Sequence, residues 1–156
     1  MTNTPAGEPH STITIFTIGF TGHSAEEFFE KLKNAQVKTL VDVRLNNVSQ
    51  LAGFAKKNDL RYFLQMIASI DYVHEKSLAP TKDILDAYKK KRIDWAEYER
   101  RFNTLLEERE PADRLDPDSL DRACLLCSEH EADQCHRRLV TEYLENRWGD
   151  VVTKHL

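Results

Sequence analysis

Apolar and polar residues alternate along this chain in two rhythms, one of period two and one of period three to four. The first apolar stretch, Thr12-Ile13-Thr14-Ile15-Phe16-Thr17-Ile18, is dense in β-branched residues and stops at Gly19, which predicts a strand over 12–18. A glycine-containing loop over 19–23 follows, and Ser24 with Glu27 has the spacing of a capping box. Phe28, Phe29, Leu32 and Ala35 then recur at helical intervals, so a helix with one apolar face is expected. A second strand is expected over 37–43. Strand, helix and strand in this order predict a right-handed parallel crossover.

The same two rhythms continue. A long loop over 46–57 holds Gly53 and the pair Lys56-Lys57, and Asn58 or Asp59 can cap a helix with Leu60, Phe63, Leu64 and Ile67 on its buried side. A third strand is expected over 70–74. Pro80 and Thr81 open a helix through Ile84, Leu85 and Tyr88, and Trp95, Tyr98, Phe102 and Leu105 mark another. The stretch 107–121, with Pro111 and Pro117 among many charges, reads as a surface connection. A fourth strand is expected over 122–127, a last helix through Leu139, Tyr143, Leu144 and Trp148, and a closing strand over 151–153. The fold class is therefore α/β: a single small domain over 12–156 with a mostly parallel open sheet of about four to five strands flanked by helices. Residues 1–11, polar and holding Pro5, Gly7 and Pro9, are expected to be a disordered N-terminal tail.

Composition narrows the class. A chain of 156 residues suffices for one hydrophobic core. A net charge of −4 argues against broad attraction to nucleic acid or to an anionic membrane, and leaves only local basic patches open to such partners. No apolar run is long enough to span a bilayer. The first residues lack the basic start and apolar stretch of a secretory signal. Three cysteines are an odd number and lie close together, which argues against a secreted disulfide framework and for reduced thiols in a cytoplasmic protein.

The chemistry concentrates at strand ends. In open parallel sheets ligands bind beyond the carboxyl ends of the strands. The polar or permissive residues expected there are Gly19 and Gly22 after the first strand, Asp42 and Arg44 after the second, His74 after the third, and Cys127 and Glu129 after the fourth. The segment Cys124-Leu125-Leu126-Cys127-Ser128-Glu129, followed by Cys135-His136-Arg137-Arg138, holds all three cysteines. With Asp133 as N-cap, Cys135 falls in the first turn of a helix, where the helix end and Arg137 favour a thiolate. Cys135, His136, Glu129 and His74 are the candidates for nucleophilic or proton-transfer work. Arg137, Arg44, Lys56 and Lys57 are the candidates for holding an anion, since guanidinium forks suit phosphate and carboxylate. Asp42 is either a base or the partner that fixes Arg44, and Cys127, Gly19 and Gly22 complete the lining.

Three other patterns have plainer readings. Cys124-x-x-Cys127 has the spacing of a zinc pair, but an odd separation in a strand turns the two side chains to opposite faces. A mixed set of Cys127, Cys135 and His136, joined by Glu129 or His74, remains the alternative, and the preferred reading contains no metal and no cofactor. The run Lys89-Lys90-Lys91-Arg92 reads as a solvated helix end, where cations suit the dipole. Trp95, Tyr98 and Phe102 read as core.

Several of these pieces together resemble the domain-of-unknown-function 488 family. They are Thr17-Ile18-Gly19-Phe20-Thr21-Gly22 with Glu27-Phe28, Val41-Asp42-Val43-Arg44, Gly53-Phe54-Ala55-Lys56-Lys57, Tyr72-Val73-His74, and Leu125-Leu126-Cys127-Ser128-Glu129 with Cys135-His136-Arg137. The resemblance implies a single small α/β domain and no particular reaction. Phe20 departs from the Tyr or His that the pattern leads one to expect, which removes a polar group there.

Three functions fit these residues. The first is an enzyme acting on a phosphorylated or carboxylated small molecule, or on a nucleotide. The second is a nucleic-acid or nucleotide-binding module without catalysis. The third is a structural or partner-binding domain.

Overall fold

The structure, a computed structural model, describes residues 12–47, 53–128 and 134–156. Five strands are found among these residues: β1 (Ile13–Gly19), β2 (Thr39–Asp42), β3 (Asp71–His74), β4 (Ala123–Cys127) and β5 (Val151–His155). All pair in parallel, in the order β3-β2-β4-β1-β5. The α/β class and parallel sheet expected from the alternation are therefore present, and β5 lies beside β1 at one edge.

Helices α1 (Ala25–Asn34) and α2 (Lys57–Phe63) cover one face of the sheet. Phe28, Phe29, Leu32, Leu60 and Leu64 pack there on Phe16, Ile18, Leu40 and Leu126. Helices α3 (Lys82–Lys89), α4 (Trp95–Arg109), α5 (Pro117–Leu120) and α6 (His136–Trp148) belong to the opposite face, over Ile15, Val41, Leu125 and Cys127. Local chemistry sets the helix starts. Ser24 accepts from the Glu27 N–H at 3.1 Å, Thr81 from the Ile84 N–H at 3.3 Å, and Asp94 from the Glu97 N–H at 2.9 Å. At the other end of α6, Gly149 ends the helix with φ +85°, a conformation that costs little only without a side chain.

Strand order explains where a site forms. The β1–β2 and β2–β3 connections run toward the β3 edge, while β3–β4 and β4–β5 run back toward β5. Crossovers of one hand then place the two sets on opposite faces. Because β2 and β4 are neighbours, the chain leaves their carboxyl ends toward opposite sides and opens a crevice between them.

Several local expectations are corrected. Ile67, expected on the buried side of α2, is exposed, because the helix passes into a π turn over Leu64–Ala68 that changes the angle between successive side chains. The stretch 107–121 is not merely a surface connection. A 3₁₀ turn, Pro111–Asp113, and α5 bury Pro111, Ala112 and Leu120 against the core. Cys124 and Cys127 do face opposite sides of β4, each in a different core cluster. The tail over 1–11 lies outside the described residues.

Candidate functional site

Three segments meet at the β2–β4 crevice. Arg44, Leu45 and Asn46 follow β2; Cys127 and Ser128 end β4; Gln134, Cys135 and His136 open α6. Helices α3 and α4 close the far side with Leu85, Tyr88, Trp95 and Tyr98. Between them lies a cavity of about 900 Å³. Its lip carries Lys89, Lys91 and Arg92, all exposed, and Asp94 is the acidic residue of the lining.

Behind the β2 wall is a buried polar network. Arg44 grips Asp42 with Nε to Oδ1 at 2.8 Å and Nη2 to Oδ2 at 2.6 Å, while its backbone N–H also donates to Oδ1. The pair is almost fully shielded from solvent. The Tyr72 hydroxyl donates to Asp42 Oδ2 at 2.5 Å, and Arg44 Nη2 donates also to the Ala55 carbonyl. Burial, with the hydrogen bond to Asp42, pushes the Tyr72 hydroxyl up to about 12. One donor is left over: Arg44 Nη1 is buried with no hydrogen-bond partner among the described residues.

His74 belongs to this network. Its Nε2 bonds the Arg44 carbonyl at 2.7 Å, so the proton sits on Nε2, and Nδ1 accepts from Asn47 Nδ2 at 3.1 Å. Both ring nitrogens are thus engaged away from the cavity, and His74 holds the loop after β2.

The sulfur side of the cavity differs from expectation. Cys127 and Cys135 bring their sulfurs into contact across the crevice, with Cα atoms 7.5 Å apart, and Cys124 is buried apart from them. The end of β4 and the start of α6 meet at the crevice, which brings together sulfurs eight residues apart. Cys135 is itself the N-cap of α6 rather than a first-turn residue. Asp133, expected to cap the helix, and Glu129 lie outside the described residues. Burial raises the Cys124 thiol far above its ordinary range, which leaves it inert in the core.

His136 stands beside Cys135. Its Nε2–H donates to the Val43 carbonyl at 2.7 Å, which leaves the lone pair of Nδ1 toward Cys135 Sγ at 4.0 Å. Phe102 of α4 meets the imidazole edge-on at 5.6 Å. Desolvation, aided by the positive charge of Arg137, lowers His136 from 6.5 to about 4. A depressed folded-state value means that the neutral ring favours folding above pH 6.5 and that this contribution is lost as pH falls toward 4. Urea unfolding at pH 7 and pH 4 should show an acid loss of up to about 3 kcal/mol from this group, absent in His136→Gln.

Arg137 does not reach the cavity. It is 1% exposed and donates through Nη1 to Cys127 Sγ at 3.4 Å. Lys56, the N-cap of α2, and Lys57 after it also lie away from the cavity lining. Gly19 pairs in register with Cys127, and Gly22 turns the chain after β1 with φ +83°. The crevice therefore assembles Arg44, Cys127, Cys135 and His136, while His74, Asp42 and Arg137 support it from behind. Sequence reasoning missed Lys89, Lys91, Arg92, Tyr88, Trp95 and Tyr98. The signal was the basic run directly ahead of Trp95.

Among the described residues, no three His, Cys, Asp or Glu side chains are placed to hold one metal ion. Nor is any helix there long and apolar enough to cross a membrane. In comparison with known proteins, a family model described as Domain of unknown function DUF488 matches residues 24–144. No curated protein and no solved structure matches the chain.

Proposed function

The chain belongs to the DUF488 family, and from its geometry we propose that the crevice between β2 and β4 binds an anionic small molecule, phosphorylated or carboxylated, with a nucleotide as the best-fitting class. The observation that carries this reading is the unequal lining of the cavity: Lys89, Lys91 and Arg92 against Asp94, beside the aromatic wall of Tyr88 and Trp95. Its volume of about 900 Å³ lies within the range of roughly 300–1,000 Å³ usual for small-molecule sites. The cations attract phosphate or carboxylate, and Tyr88 and Trp95 offer ring surface for a planar group. Cys135 and His136 at the inner end supply a thiol and a proton acceptor.

Trp95 is a built-in reporter. In a Trp148→Phe background, adenosine triphosphate and inorganic pyrophosphate should change its fluorescence saturably. Raising salt from about 0.05 M to about 0.5 M should weaken both, as screening requires. Reversing Lys91 and Arg92 together to Glu should weaken both by about tenfold or more. Replacing Lys56 and Lys57 should leave binding unchanged. Binding that follows Lys56 and Lys57 instead, with Lys91 and Arg92 indifferent, would refute the crevice as the site.

A further inference from the structure

We propose that Cys135 and Cys127 are a working dithiol–disulfide couple that exchanges with small-molecule disulfides carrying negative charge. The proposal rests on the anion-binding reading and names a substrate class for it. Both sulfurs line the cavity and lie in direct contact with each other. Their surroundings differ in a way that assigns their roles. Cys135 is the more exposed, at 3% against 0%, caps a helix of thirteen residues, and has the free lone pair of His136 Nδ1 at 4.0 Å. Cys127 lies deeper and accepts a hydrogen bond from the buried guanidinium of Arg137. A positive charge against a sulfur stabilises the thiolate, whether it is attacking or leaving.

Cys135 is thus the outer, attacking thiol and Cys127 the inner, resolving one. In the reduced protein the Cys135 thiol gives up its proton to solvent. The thiolate attacks one sulfur of a disulfide RSSR. A bond forms between Cys135 and one RS group, the RS–SR bond breaks, and RS⁻ leaves. The Cys127 thiol gives its proton to the departing RS⁻, and its thiolate, held by Arg137, then attacks the Cys135 sulfur. The Cys127–Cys135 bond forms, a second RS⁻ leaves and is protonated, and two electrons have passed from the cysteine pair to RSSR. Excess RSH drives the same steps backward. The cations at the cavity lip select an RSSR that carries carboxylates.

The experiment uses the reduced full chain, oxidised glutathione as the carboxylate-bearing probe and cystamine as the cationic one, with mass mapping of adducts. Cys127→Ser should accumulate a mixed disulfide on Cys135, and Cys135→Ser should form none. If Cys127→Ser fails to fold, alkylation of the wild type during the reaction should trap the same adduct on Cys135. Oxidised glutathione should react about tenfold faster than cystamine, the lower end of what a cleft of one charge sign gives. The Lys91 and Arg92 reversal should abolish that preference. An adduct confined to Cys127, no adduct at all, or equal rates for the two probes would overturn the proposal. Pyrophosphate binding at Trp95, measured on the same reduced samples, separates the two claims. Exchange lost with binding intact removes the couple alone, whereas binding lost removes the anion reading and this proposal with it.

Discussion

Asp42→Ala should destabilise the domain by about 3–5 kcal/mol, enough to consume most of the stability of a domain this size. The carboxylate is completely buried and takes three hydrogen bonds from Arg44 and one from Tyr72. Removing it leaves the Arg44 guanidinium in the interior with its charge uncompensated. It also strips the Tyr72 hydroxyl of its acceptor, and an orphaned buried donor carries its full desolvation penalty. The damage spreads to the cavity, because Arg44 forms part of its wall. Arg44→Met together with Asp42→Leu should be far milder, since two apolar side chains of similar bulk remove both charges at once. Urea denaturation of the three proteins checks this. Equal losses for the single and double variants would mean that the charges are not what holds this corner.

Phe102→Ala should cost a similar amount, about 3–5 kcal/mol. Phe102 is fully buried at the centre of α4, stacked on Tyr98 and edge-on to His136. Truncation deletes the ring contacts and opens a void beside the imidazole. Water entering there relieves the desolvation that lowers His136, so its titration should move from about 4 back toward 6.5. Phe102→Leu should cost less than half as much and move the titration little, because a branched apolar side chain still excludes water. Thermal unfolding measures the stability loss. Proton NMR of the His136 ring follows the titration.

These effects indicate which parts of the molecule were legible in its sequence. Local signals were strong. Ser24 and Thr81 cap helices through the oxygen atoms their side chains offer, and the β-branched run before Gly19 is a strand. The period-two rule also placed Cys124 and Cys127 on opposite faces. The strand order was not legible, because a parallel crossover can insert β4 between β2 and β1 without any mark in the intervening chain. The cavity wall followed from that order. Lys89, Lys91 and Arg92 read as a solvated helix end because nothing local reveals that α3 and α4 fold back over the β2–β4 crevice. Arg137 reads as an anion ligand by type, yet its place on α6 turns it inward onto Cys127. His74 reads as a proton carrier, yet the Arg44 carbonyl and Asn47 occupy both its ring nitrogens.

The most direct measurement is the alkylation rate of each cysteine in the reduced protein, mapped by peptide mass, with and without inorganic pyrophosphate. If the crevice is an anion site with a reactive sulfur at its inner end, Cys135 labels far faster than the sealed Cys124, and pyrophosphate slows Cys135 alone. Equal, slow labelling of both cysteines, indifferent to pyrophosphate, would contradict it.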